Sequence, residues 1–320
     1  MTEPAAADDA PPALTVCICT HERPSYVRQC LAGLAAQTAP AVAFEVVVVD
    51  SGSRPEPARA LREAVRLHPA ARLIALAAPG VSLARNAGAE AARAAFVAYI
   101  DDDAIPAPDW VATILAALAE QEPPPALIGG RILPRWEAPL PAWWPASLRG
   151  VLSIIEHEGR GTYRTSELPR GLEPYAANMV VHVASLRAAG GFRSAVGRHG
   201  TVLLSDEEVQ LAWRLQDSGH RAVYDSRIVV HHQIQASRLD PRWLLRRLYW
   251  QGYSTVVTRR LLGAGRWSLW AKGLRRAAVV VLFAPSALVP RGSVRLLAPR
   301  WRLAYSLGFV VALLRPPPTA

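Results

Sequence analysis

Ala95-Phe96-Val97-Ala98-Tyr99-Ile100-Asp101-Asp102-Asp103-Ala104 is the stretch that decides the fold. Its first six residues form an unbroken apolar run, the pattern of a strand covered on both faces in a parallel sheet. Three carboxylates follow at consecutive positions. Adjacent like charges repel, so the stability of a buried strand gives no reason for them. A hard divalent cation does, since Mg²⁺ or Mn²⁺ takes oxygen ligands and shares them with substrate phosphates. The competing reading is a solvated acidic turn. Open α/β sheets bind ligands beyond the C-terminal ends of their strands, and this triplet sits at such an end.

Working outward, apolar runs at 14–19, 44–49, 72–76 and 96–100 predict strands, with amphipathic helices near 25–36, 56–67, 82–94 and 109–120 between and after them. This alternation predicts βαβ units with right-handed crossovers and a mostly parallel sheet. Polar clusters follow the strands: Thr20-His21-Glu22-Arg23, Asp50-Ser51-Gly52-Ser53 and the acidic triplet. In a doubly wound sheet those ends share one edge and converge on one cleft. From 123 to 175 prolines and tryptophans break the pattern, so an irregular insertion over the sheet is expected, contributing to an acceptor site. Order returns with a strand at 178–181 and helices near 184–189 and 206–218, the latter stopped by Gly219. A strand at 221–231 ends in His231-His232, and the chain has no internal repeat.

At 320 residues the chain can hold one large α/β domain or two domains. Its net charge of +10 is unevenly spread. Residues 236–320 carry fifteen Lys/Arg and one acid, Asp240, which leaves −4 on residues 1–235. A mildly acidic body with a basic, Trp-rich C-terminal quarter is not a nucleic-acid-binding profile. It fits a surface that meets anionic lipid. Apolar runs at 277–290 and 303–314 fall short of the roughly 20 residues that span a bilayer. They read as interfacial or re-entrant helices, or else as a helical layer packed on the protein or a dimer face.

Residues 1–12 are acidic and Pro/Ala-rich, and are expected to be a disordered lead-in. They show neither the basic nor the apolar region of a secretory signal, so a cytoplasmic protein peripheral to the inner face of the cell membrane is expected. Cys17, Cys19 and Cys30 fit neither a disulfide framework nor a zinc pattern, and are expected as small buried hydrophobes.

Residues 14–23 (Leu-Thr-Val-Cys-Ile-Cys-Thr-His-Glu-Arg), 46–53 (Val-Val-Val-Val-Asp-Ser-Gly-Ser), 80–88 (Gly-Val-Ser-Leu-Ala-Arg-Asn-Ala-Gly) and 98–110 resemble the successive signature blocks of family 2 glycosyltransferases of inverting, bacterial type with the GT-A fold. Asn178-Met179, Gly190-Gly191-Phe192 and Asp206 to Leu215 resemble the later blocks, in the same order. The resemblance implies a GT-A domain over 13–235, followed by a basic helical region over 236–320. It also implies a nucleotide-sugar donor, a Mn²⁺ or Mg²⁺ cofactor and a hydroxyl acceptor, either lipid-linked or a growing glycan.

The roles it implies are specific. Asp101 and Asp103 match the DxD motif, with Asp103 the first choice of metal ligand and Asp102 turned toward the ribose. Thr20, Glu22, Arg23 and Asp50 to Ser53 match positions that hold the nucleoside. Glu22 and Ser51 depart from the usual residues there, so UDP, GDP and dTDP donors stay open. Arg85 and Asn86 match the block before the DxD strand, where an arginine neutralises diphosphate or orients Asp101; a surface salt bridge is the other reading. Glu208 matches the base that takes the acceptor proton, although the family more often has Asp, and Glu207 is the second choice. Acids also suit a helix N-terminus for its dipole alone. His231 is a candidate additional ligand, or polar framing of the strand end.

Two other functions compete. A nucleotidyltransferase would use the triplet for two-metal chemistry, but it would want a Gly-rich loop after the first strand, and Thr20 to Pro24 is not Gly-rich. A non-catalytic scaffold on the same fold would have no use for both Asp103 and Glu208. Rossmann and P-loop glycine patterns are absent from the chain.

Overall fold

The computed structural model describes residues 11–194, 197–199, 202–287 and 297–315. All but the last two residues of the expected lead-in therefore lie outside the described residues. The first half alternates as the sequence predicts: β1 (Leu14–Thr20), α1 (Pro24–Ala35), β2 (Phe44–Ser51), α2 (Pro55–Arg66), β3 (Ala71–Leu76), α3 (Val81–Glu90) and β4 (Phe96–Asp101). Pro24 and Pro55 start α1 and α2, where a missing N–H costs nothing. There follow β5 (Ala104–Pro106), α4 (Trp110–Ala119), β6 (Leu127–Trp136), β7 (Arg160–Thr162), β8 (Met179–His182), α5 (Val183–Ala188), the short pair β9 (Arg198–His199) and β10 (Val202–Leu203), α6 (Glu207–Asp217) and β11 (Ala222–Ile234).

One nine-stranded sheet runs in the order β3-β2-β1-β4-β8-β6-β11-β5, with β7 also paired to β11. It is parallel from β3 to β4, with Cys17 opposite Val47 and Tyr99. Beyond β4 it is mixed: β8 is antiparallel to both β4 and β6, β6 and β11 are parallel, and β5 is antiparallel to β11. β1 and β2 are almost wholly buried, which is why their sequences are continuous apolar runs rather than alternating ones. Cys17 and Cys30 lie in this core and Cys19 at its margin, all three as free thiols.

The segment 123–175 is not wholly irregular. Its first part is β6, a ten-residue strand inside the sheet. The rest covers the sheet with one short strand, β7, and a 3₁₀ segment at Ala146–Leu152.

After β11 come α7 (Pro241–Leu261), α8 (Arg266–Phe283) and α9 (Leu297–Leu314). α7 and α9 cross so closely at Gly252 and Gly308 that a Cβ on either glycine would strike the partner's backbone, at Tyr305 and Tyr249 respectively. Tyr253, Val256, Val257, Leu269, Phe309 and Leu313 form a second core around this crossing. The start of α7 packs instead with Trp144, Leu152 and Ile234, binding the helices to the insertion and the sheet. Of the two apolar runs, 303–314 is therefore a packed layer. The first half of the run 277–290 lies on α8, and its last three residues fall outside the described residues. Among the described residues no helix is long and apolar enough to cross a membrane.

Candidate active site

The turn after β4 carries the acidic triplet against the end of β11. β5 returns antiparallel to β11, with Ala104 opposite His232, and the Gln233 N–H donates to the Asp103 carbonyl at 2.7 Å. Asp102 and Asp103 are buried, while the Asp101 side chain is 38% exposed to the cleft. Thr20, the last residue of β1, donates its hydroxyl to Asp102 at 2.7 Å. Arg23 forks across the pair, 2.7 Å from Asp102 Oδ1 and 2.7 Å from Asp103 Oδ2. Gln235 and Arg238 also donate to Asp103 Oδ2, each at 2.9 Å. Burial alone would raise Asp103, but His232, Arg238 and Arg23 hold its carboxyl well below the usual range. For Asp102, burial and the neighbouring Asp103 charge outweigh Arg23 and push it up to about 7.

Asp101, Asp103 and His232 each offer a ligand atom, all within 4.8 Å of one another. The His232 Nδ1–H donates to the Leu152 carbonyl at 3.0 Å, which turns Nε2 toward Asp103 Oδ1 at 3.1 Å. The same Nε2 lies 3.4 Å from Arg238 Nη1. Two carboxylates and an imidazole suit Mn²⁺ or Mg²⁺, and the bond to the Leu152 carbonyl is the kind that orients a ligating histidine. The residues present therefore fit the cofactor that the acidic triplet calls for.

The facing wall is the N-terminus of α6. Its cap, Asp206, sits at φ 78°. The turn is held from α7: Gln251 donates to Asp206 Oδ1 at 2.9 Å, and the Ser205 N–H donates to the Ser254 hydroxyl at 3.0 Å. Glu207 is buried against Arg85, 2.6 Å from Nη1. Glu208 Oε1 accepts from the Ala176 N–H at 3.3 Å. Its Oε2 has no hydrogen-bond partner among the described residues and stands 3.8 Å from Arg85 Nη1. Burial and the adjacent Glu207 charge push Glu208 up to about 8, against the pull of Arg85. Arg85 is itself buried and also stands 3.9 Å from Asp101. One guanidinium thus links the two acidic clusters across a cleft of about 330 Å³.

Of the residues singled out from sequence, Thr20, Arg23, Ser51, Arg85, Asp101, Asp102, Asp103, Glu207 and Glu208 line this cleft. Six others do not, and all of them but His231 have a visible task beside them. Glu22 pairs with Arg54 at 2.6 Å. Asp50 accepts from the Ser53 N–H at 3.1 Å, and the Ser53 hydroxyl accepts from the Glu22 N–H at 2.8 Å. Gly52, at φ 70°, lets the loop pass Ala78, whose carbonyl carbon would lie 2.8 Å from an added Cβ. The Asn86 side chain clasps the Phe192 backbone at both its N–H and its carbonyl, at 2.8 and 2.9 Å, locking α3 to the Gly190-Gly191 turn. These residues shape the loops around the cleft.

The histidine that the structure brings beside Asp101 and Asp103 is His232, where the sequence reading named His231. Along β11, Ile228, Val230 and His232 are buried on one face, while Val229 and His231 are half-buried on the other. Period-2 alternation was the signal that distinguishes the two histidines. Tyr175 and Ser153 from the insertion, and Arg238 and Arg247 from beyond β11, also line the cleft. No local sequence pattern marks Tyr175, Ser153 or Arg238, because tertiary packing brings them there.

Comparison with known proteins agrees with this geometry. The family model for glycosyl transferase family 2 matches residues 15–195, more than half of the chain. The chain belongs to glycosyl transferase family 2. Its fold is the GT-A fold of the solved structures it superposes on. A glucosyl-dolichyl phosphate glucuronosyltransferase of Haloferax volcanii is 31% identical over 179 residues, covering 56% of this chain and 55% of that protein. The chain thus spans about half the length of this relative. The mannosyltransferase PcManGT from Pyrobaculum calidifontis, solved with GDP-Man and Mn²⁺, superposes with TM-score 0.60 at 21% identity, covering 96% of this chain and 88% of that one. S. aureus TarS 1–349 with UDP-GlcNAc superposes with TM-score 0.54 at 16% identity, covering 92% and 89%.

Proposed function

We propose that this family 2 enzyme is an inverting, divalent-cation-dependent sugar transferase that moves a sugar from a nucleotide-diphosphate donor to a hydroxyl of a lipid-linked acceptor or growing glycan. The observation that carries the reading is the pair of acidic clusters facing each other across one cleft, with Arg85 between them. The catalytic unit is residues 13–235, and the helical region 236–320 completes its wall through Arg238 and Arg247. The names of the relatives support the substrate classes: one acts on a dolichyl phosphate-linked sugar, and the two solved structures hold nucleotide sugars. Work at the inner face of a membrane follows from a lipid-linked acceptor and the basic C-terminal quarter.

Asp101, Asp103 and His232 would hold Mn²⁺ or Mg²⁺, which supplies positive charge to the diphosphate as it leaves. The remaining work falls to the chain. Arg23 and Arg238 keep Asp103 ionised, and Arg85 adds a fixed positive charge between donor and acceptor. Glu208 Oε2 accepts the proton of the acceptor hydroxyl. The acceptor oxygen bonds to the anomeric carbon as the bond to the diphosphate oxygen breaks on the opposite face. The nucleoside diphosphate departs with the bonding pair, and the configuration inverts.

A thermal-shift screen of UDP-, GDP- and dTDP-sugars with Mn²⁺ tests this. A ligand at a hundredfold excess over Kd stabilises by about 2.7 kcal/mol, which is roughly 5–10 °C at a few degrees per kcal/mol for a domain of this size. EDTA should remove the shift. Stabilisation by nucleoside triphosphates and by no nucleotide sugar would replace this reading with the nucleotidyltransferase.

A further inference from the structure

α8 is held on one side only. Leu269 and Gly273 are buried, Leu269 in the core shared with Tyr253 and Phe309, and a Cβ on Gly273 would strike Leu313. Its other side carries Trp267, Trp270, Leu274, Ala278 and Val281, all exposed. Their spacing of three or four residues places them on one face of the helix. Ala278 is the small member of the series and keeps the stripe continuous between Leu274 and Val281. Trp267 is 88% exposed, Leu274 71% and Val281 76%. Half of the ten large apolar side chains exposed among the described residues belong to α8. Contiguous exposed apolar patches mark interaction sites.

Charge decides what covers this face. Arg266 and Arg275, both exposed, flank the stripe about 80–100° to either side at 100° per residue, and exposed Lys272 lies further round. Residues 241–320 contain no Asp or Glu at all. A protein partner of mixed charge would leave this row of cations uncompensated, whereas anionic headgroups beside an acyl boundary match both the stripe and its flanks. Tryptophan is suited to that boundary, and α8 does not qualify as a spanning helix.

We infer that α8 docks flat on a bilayer of anionic lipids, with Trp267, Trp270, Leu274, Ala278 and Val281 in the acyl boundary and Arg266 and Arg275 on headgroup phosphates. This names the part of the protein that meets the membrane surface invoked above. It stands on α8 alone, whatever the sugar chemistry proves to be. Packing of α8 on α9, and of α9 on α7, ties the docked helix to the Ser205–Asp206 turn that carries Glu208.

Vesicle flotation of the full chain tests it, using phosphatidylcholine vesicles with and without about 30% phosphatidylglycerol. The intact protein should float with the anionic vesicles and stay down with the neutral ones. Trp267→Ser with Trp270→Ser should weaken binding on the order of tenfold or more, and Arg266→Glu with Arg275→Glu should do the same in a salt-sensitive way. All four positions are exposed, so the fold should survive, and an unchanged melting temperature checks this. Equal flotation of the wild type and both double variants would overturn the proposal, as would failure of the wild type to float. So would a dimer in light scattering that the tryptophan pair dissolves while vesicle binding is absent, since the stripe would then belong to a second copy. The donor-induced thermal shift is read separately on the same variants. Its absence counts against the sugar-transfer reading and leaves the flotation result intact.

Discussion

Asp101-Asp102-Asp103 and Asp206-Glu207-Glu208 are two runs of three acids on opposite walls of one cleft, and one member of each, Asp103 and Glu208, is pushed in the opposite direction from the other. At the first, Arg23, Arg238 and His232 converge on Asp103 and hold it well below the usual carboxylate range. At the second, Arg85 must serve both Glu207 and Glu208, and it stands at 2.6 Å from the one and 3.8 Å from the other. Glu208 is left at about 8. Equal local charge therefore gives a permanent anion in one place and a proton acceptor in the other, because the counter-charges are unequally divided. A ligand should be ionised at every working pH, and a base should titrate near it.

The largest expected effect comes from removing the permanent anion. Asp103→Asn keeps the shape and leaves Arg23 and Arg238 facing a neutral amide. Transfer should fall on the order of 10³-fold, with loss of the Mn²⁺-dependent part of the donor thermal shift. Breaking a buried ion pair also costs about 3–5 kcal/mol of stability, so the melting temperature must be followed alongside. Near-normal transfer that is insensitive to EDTA would remove the distinction between the two triplets.

Glu208→Gln should come next. It deletes the base and leaves the first triplet untouched, so kcat should drop about 10²–10⁴-fold while the donor-induced thermal shift is retained. An unchanged kcat would move the base to another group. A lost thermal shift would place Glu208 in donor binding and merge the two sites into one.

Much of this was legible in the sequence, and the rest was hidden for identifiable reasons. β1 to β4 announce themselves because strands buried on both faces must be apolar throughout, and the polar residues then fall at their ends. β6 escaped because Gly129-Gly130 and Pro134 look like loop residues. The glycines are there because the Tyr163 hydroxyl and the Asn178 amide press against the strand where a Cβ would stand. His232 could have been chosen over His231 from strand alternation alone. Arg238 could not: its guanidinium reaches Asp103 only because a 3₁₀ turn at Ala236–Leu239 doubles back beside the β4 turn. The basic C-terminal quarter looked uniformly superficial by composition, yet Arg247 is buried in the cleft wall while Arg266 and Arg275 face outward.

The smallest expected effect is also the sharpest test of the contrast, because it runs against intuition. Glu208 acts as a base only when ionised, so kcat/KM should rise about tenfold per pH unit and level off above about pH 8. The stability linkage has the opposite sign. A carboxyl whose folded pKa is raised contributes no penalty while it stays protonated below its ordinary value, and costs stability as pH climbs from there through about 8. Glu207 raises Glu208 by its charge and also occupies Arg85. Glu207→Gln removes both effects and frees Arg85 to favour the Glu208 carboxylate. The acid limb should then move to lower pH with the alkaline plateau kept, so that activity at about pH 6–7 exceeds wild type by up to about tenfold, the equivalent of one pH unit. If the plateau itself collapses instead, Glu207 is the group that takes the proton, and the roles of the two glutamates are exchanged.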